Sequence, residues 1–250
     1  MTSSTTVAAL TRLEVVRMAS DKRFLLLMLG MPVGMYLLFT NLPGGDRPNG
    51  GLLPSVAVMI SMAGYGAIGT ALSATAPRIA QERTNGWMRQ LRILPPPGTA
   101  VITAKVLAAM LWALPAILAV LATAEIDHRI TMPAWRWVAI VAVLWLGTAP
   151  FAALGILIGY LTDDSSAFAV MYAVYLFLGA AGGLWMPADT LPWALRRIAT
   201  VLPSNRMAGF GWSIAGGHAP SLTGAAILIG WLVGFAAAAA LVYRRAAAVR

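Results

Sequence analysis

The chain has 250 residues, 59% of them apolar and only 11% charged, with a mean hydropathy of +0.76; a water-soluble domain carries about 25% charged residues, so a bilayer is the natural solvent here. Its 18 Lys and Arg outnumber 9 Asp and Glu, yet so apolar a chain has no broad solvated face to offer nucleic acid. Cysteine is absent, which excludes disulfide frameworks, thiolate metal sites and thiol catalysis, and His128 and His218 alone cannot build a histidine metal cage.

A helix needs about 20 mostly apolar residues to cross a hydrocarbon core of about 30 Å. Six segments qualify: 24–42, 52–76, 101–124, 137–161, 167–186 and 222–243. The expected fold class is all-α, a polytopic membrane protein with one transmembrane domain over 1–250. Its soluble remainder is the stretch 1–23, a loop at 77–100 and a segment at 187–221. Lys and Arg gather beside both termini and in the loop at 77–100, which places both termini and that loop in the cytoplasm and the segment 187–221 outside.

In chain order, Val7, Leu10, Leu13 and Val16 recur every third residue, an apolar set that drifts around a helix and is interrupted by Arg17; it suggests a helix lying on the inner membrane surface. The first span is too long for the apolar core of a signal peptide and no small-residue cleavage site follows it, so it reads as a retained anchor. In the second span Ser61, Tyr65, Gly69 and Ser73 follow a four-residue spacing. The loop contains a short basic helix with Trp87 and Leu91 four apart, stopped by Pro95, Pro96 and Pro97. Such a helix either grips anionic lipid or docks into a cytoplasmic partner.

Lys105, the one basic residue inside a span, lies near its end and is expected to snorkel to the headgroups. Pro32, Pro115 and Pro150 should kink their spans. Asp163 and Asp164 with Ser165 suggest a turn and an N-cap for the fifth span. That span carries Phe168, Tyr172, Tyr175, Gly179 and Gly182 at helical spacing. Ser61, Tyr65, Phe168, Tyr172 and Tyr175 are candidate walls of a pathway for amphipathic molecules, or else mark interfacial tyrosines and a helix crossing. Gly-x-x-x-Gly pairs begin at Gly30, Gly155, Gly179 and Gly230, a spacing that lets helices approach closely. Between the last two spans Leu191, Leu195, Ile198 and Leu202 form one apolar stripe, as a half-buried outer helix would.

No acidic residue lies within a span away from its borders, which disfavours proton or sodium coupling. The chain has no Gly-x-x-x-x-Gly-Lys-Ser/Thr phosphate cradle, so any ATP and its Mg would be handled by a partner. Ser213 with His218 lacks an orienting third group, which makes a hydrolase the weakest reading.

The order Glu82-Arg83, Gly86, Leu91, Pro95 and then Lys105 opening the third span resembles the signature of the type-2 ABC transporter permeases, the six-helix membrane subunits of bacterial exporters. Asp21-Lys22-Arg23 before a first span containing Pro32, Leu191-Pro192-Trp193 through Pro203, and Tyr243-Arg244-Arg245 extend the resemblance over nearly the whole chain. It implies that 77–100 holds a coupling helix seated in an ABC ATPase subunit through Glu82, Arg83, Gly86, Trp87, Arg89 and Leu91. It further implies two ATPase copies, a second permease copy or close paralogue, and a re-entrant outer element whose Leu191, Leu195, Ile198 and Leu202 gate the exit. The implied function is export of a drug, antibiotic or lipid-like molecule across the bacterial plasma (inner) membrane, with no catalytic residue, cofactor or metal on this chain. A non-transporting membrane assembly or immunity factor on the same scaffold is the alternative.

Overall fold

The computed structural model describes residues 3–19, 22–41, 51–84, 98–186 and 192–248. Ten α-helices run through them. They are α1 (Ser3–Ala19), α2 (Lys22–Asn41), α3 (Pro54–Thr84), α4 (Gly98–His128), α5 (Ala134–Leu146), α6 (Ala149–Leu161), α7 (Asp164–Ala181), α8 (Trp193–Ala199), α9 (Pro203–Ala215) and α10 (Leu222–Ala248). Five stretches among the described residues are long and apolar enough to cross a membrane: α3, α4, α5 with α6, α7 and α10. The expected first span coincides with α2, a helix of 20 residues. At 1.5 Å per residue the 31 residues of α3 and of α4 each reach about 46 Å, well beyond a hydrocarbon core.

α3 is the central post, packed against α2, α4, α6, α7 and α9. Its composition explains the position: Ala57, Ala63, Gly64, Gly66, Ala67, Gly69, Ala71 and Ala74 are all buried and let neighbours approach where no hydrophobic force drives helices together. A Cβ on Gly66 would lie 2.8 Å from Pro32 of α2. Gly155 and Gly159 of α6 pack in the same way on Thr75 and on Ala76 with Ile79. Gly30, Gly34, Gly230 and Gly234, by contrast, have no described atom near a would-be Cβ, so these pairs are open rather than packed.

The fourth span is broken rather than kinked. Pro150 has no N–H to give and its ring would strike the carbonyl of Leu146, so α5 ends there and α6 starts at Ala149. Gly147 and Thr148 bridge the gap, the Thr148 hydroxyl donating to the Trp145 carbonyl at 2.5 Å. Asp163 does stand at the N-cap of α7 in extended backbone, but its side chain makes no capping bond. α7 ends at Ala181, five residues before the expected end at 186. Gly183 takes φ +71°, Leu184 N–H donates to the Gly179 carbonyl and Gly183 N–H to that of Ala180, the Schellman closure that glycine permits.

The segment beyond α7 differs from a single outer helix with one apolar stripe. α8 is only 7 residues long, Leu195 and Ile198 are exposed, and Leu202 is buried as the residue capping α9. Leu191 lies outside the described residues. The buried element is α9, whose Ser204, Met207, Ala208, Gly211, Ile214 and Ala215 form its inward face. Ser204 and Asn205 donate to the Leu178 and Gly182 carbonyls, so the start of α9 satisfies the end of α7.

A candidate transport core with a charged base and an aromatic seam

At the end of the bundle where α3 closes at Thr84 and α4 opens at Gly98, four charged side chains meet. Lys105 is only 6% exposed, and its Nζ lies 2.7 Å from Glu14 Oε1, 3.0 Å from Glu82 Oε1 and 2.9 Å from Glu82 Oε2. Arg17 Nη1 stands 3.6 Å from Glu82 Oε1, which brings the formal charge of the group to zero. Lys105 thus does not snorkel. Carboxylates delivered by α1 and α3 hold it in place, and a paired ammonium can stay inside where a lone one would have to reach water.

Arg83, one residue on and so about 100° around α3, turns toward the end of α6. Its Nη1 donates to the carbonyls of Gly159 (3.1 Å), Tyr160 (2.7 Å) and Thr162 (3.2 Å), the groups that the last turn of α6 leaves unpaired, and its guanidinium lies over the Tyr160 ring. A cation at a helix C-terminus also meets the favourable end of the helix dipole. The functional groups of Glu82 and Arg83 are therefore both engaged within the chain. They brace the ends of α3 and α6 beside segment 85–97. Gly86, Trp87, Arg89 and Leu91 lie outside the described residues.

Midway along the bundle the marked faces of the second and fifth spans turn out to face one another. Tyr65 of α3 stacks on Tyr175 of α7 with ring centroids 4.0 Å apart and planes within 10°. Each ring lies over a glycine of the other helix: a Cβ on Gly69 would be 2.7 Å from Tyr175 Cζ, and one on Gly179 would be 2.6 Å from Tyr65 Cε2. Tyr and Gly are four apart on both helices, so the antiparallel pair locks reciprocally. Trp185 closes one end edge-on to Tyr65, while Ser73 Oγ meets Met171 Sδ at 3.7 Å toward the other.

The stack continues outward. Tyr172 is tilted against Tyr175 at 6.1 Å, and Phe168 stacks on Tyr172 at 6.0 Å. Phe168 is exposed and Tyr172 half-buried, whereas Tyr175 and Tyr65 are enclosed. Ser61, one turn before Tyr65, is buried and donates to the Ala57 carbonyl of its own helix. All five candidate pathway residues thus belong to the α3–α7 face, with Phe168 at its open edge. They line neither of the two surface grooves described here, one of about 790 Å³ between α4 and α5 and one of about 950 Å³ between α1 and α4. The Ser213 hydroxyl donates to the Gly209 carbonyl of its own helix.

Sequence reasoning missed Glu14 as a partner of Lys105 and α9 as a buried helix. For α9 the signal was present, since its buried positions recur at helical spacing from Ser204 to Ala215. For Glu14, 91 residues from Lys105, only the odd cost of a lysine in a span hinted at a hidden carboxylate.

Against known proteins, residues 49–243 match the family described as ABC-2 family transporter protein. The chain is also 27% identical over 238 residues to a Bacillus subtilis (strain 168) protein named Putative transport permease YvfS, an alignment covering 94% of this chain and 96% of that one. A family match over most of the chain, on a bundle of membrane-length helices, settles the class: the chain belongs to the ABC-2 transporter family, as a multi-pass membrane transport subunit.

Proposed function

We propose that the chain is the permease subunit of an ATP-driven exporter, with six spans, both termini cytoplasmic, and ATP hydrolysed by two copies of a separate ABC ATPase in the plasma membrane of a bacterium. A second permease copy or close paralogue completes the complex. The observation that carries the reading is the braced base: Glu82 with Lys105 and Arg83 with the end of α6 anchor the stems of segment 85–97. In that segment Gly86, Trp87, Arg89 and Leu91 meet the ATPase, with Trp87 as the packing anchor.

The cargo is an amphipathic small molecule, a drug, antibiotic or lipid-like compound. Phe168 and Tyr172 offer it flat rings at the edge of the α3–α7 seam, and the enclosed Tyr175, Tyr65 and Ser61 become available as the seam opens. Leu195, Ile198 and Leu202, with Leu191, stand at the outer exit.

Affinity purification of the full chain from its native membrane tests this. The proposal expects an ATP-hydrolysing chain to be retained and Trp87→Ala to reduce its retention by about tenfold, the loss of one interface anchor. A complex without an ATP-hydrolysing chain would overturn it.

A further inference from the structure

Glu14, Glu82 and Lys105 come from three different helices, and they meet near the ends of α3 and α4 that flank segment 85–97. Clamping the two stems together needs only Lys105 and Glu82, since both oxygens of Glu82 lie within 3.0 Å of Nζ. The second carboxylate therefore calls for its own explanation. Glu14 adds a buried negative charge to a site already neutral, and Arg17 of the same helix restores the balance. A buried charge group of this kind is seldom the most stabilising way to join helices, and its best-attested use is to fix register. Elsewhere the contacts of α1 with α4 include apolar side chains and a bond from Trp112 Nε1 to the Val15 carbonyl, contacts that tolerate sliding. The Glu14 bond, at 2.7 Å, does not.

We infer that Lys105 is a positioning residue that locks α1 to the stems of segment 85–97, so that a displacement imposed on that segment moves the N-terminal helix with it. The inference rests on the permease reading for the origin of the displacement. Lys105 touches neither cargo nor nucleotide. Its role is to make α1, α3 and α4 move as one body at their common end.

The chain has no cysteine, so spin labels can be placed freely. In the full complex in nanodiscs, the pair Arg12→Cys with Leu241→Cys reports α1 against α10, and Gln81→Cys with Leu241→Cys reports the α3 stem; all three positions are exposed. Distances are read without nucleotide and after trapping with ATP and vanadate. Both are expected to shift together in the native background and in Lys105→Arg. Glu14→Met, which leaves Lys105 and Glu82 paired, should abolish the α1 shift, preserve the stem shift and keep ATP hydrolysis within about threefold of the parent. The triple change Glu14→Gln, Glu82→Gln, Lys105→Met, which neutralises the three buried groups and leaves the half-exposed Arg17, should likewise abolish the α1 shift and preserve the stem shift.

An α1 shift that survives in Glu14→Met overturns the inference and leaves the permease reading intact, as does joint loss of the α1 and stem shifts in both variants. A native complex that lacks ATP hydrolysis, or in which neither distance responds, overturns both.

Discussion

The charged base and the aromatic seam join the same central helix to its neighbours by opposite means. At the base, long side chains reach across from α1 and α4 to Glu82, and what matters is that each charge finds its counterpart. At the seam no charge is involved, and two rings settle into spaces left by Gly69 and Gly179. The base should therefore tolerate changes of shape that keep the charges matched, whereas the seam should tolerate changes of polarity and fail when a methyl group is added.

The largest effect should come from breaking the base on one side. Lys105→Met leaves two buried carboxylates with only Arg17 nearby and is expected to cost about 3–5 kcal/mol, whereas neutralising all three groups should cost far less. Thermal unfolding in detergent compares the two, and equal losses would show that charge matching is not what the base requires. Next comes the seam. Gly69→Ala places a methyl into the Tyr175 ring and should cost about 1–3 kcal/mol, with the loss largely relieved in a Tyr175→Leu background. Additive effects in that cycle would mean that the two residues do not meet.

Arg83→Met is expected to be milder, about 1–2 kcal/mol, because α6 loses a cationic cap whose guanidinium is itself only partly buried. Increased amide exchange confined to the Tyr160–Thr162 turn would be its mark. The smallest change serves as the control: Gly230→Ala, in open space on α10, should raise stability by up to about 1 kcal/mol. A loss there would point to a neighbour pressed against that face.

Much of this was legible in the sequence because a bilayer imposes a coarse rule on length and apolarity. The spans emerged from that rule, and the two special faces from their four-residue spacing. Periodicity along one helix, however, cannot tell which other helix it meets, so Tyr65–Gly69 and Tyr175–Gly179 were visible as faces while their reciprocal fit was not. The same limit hid Glu14 behind Lys105. Pro150 marks the interrupted span, and the interruption itself lies upstream at Gly147 and Thr148 because proline disrupts the turn before it. The outer stripe misled because its leucines fall on both sides of a helix end at Ala199.

The central claim is that a separate ATPase docks on the segment whose stems the base holds. A photo-reactive residue in place of Trp87 in the otherwise native chain tests it most directly, with the same residue at exposed Leu118 of α4 as reference. Irradiation in native membranes should join the Trp87 position to an ATP-hydrolysing chain, in a yield that changes on adding ATP and vanadate, and the Leu118 position to lipid. Lipid as the only adduct at both positions would contradict the account.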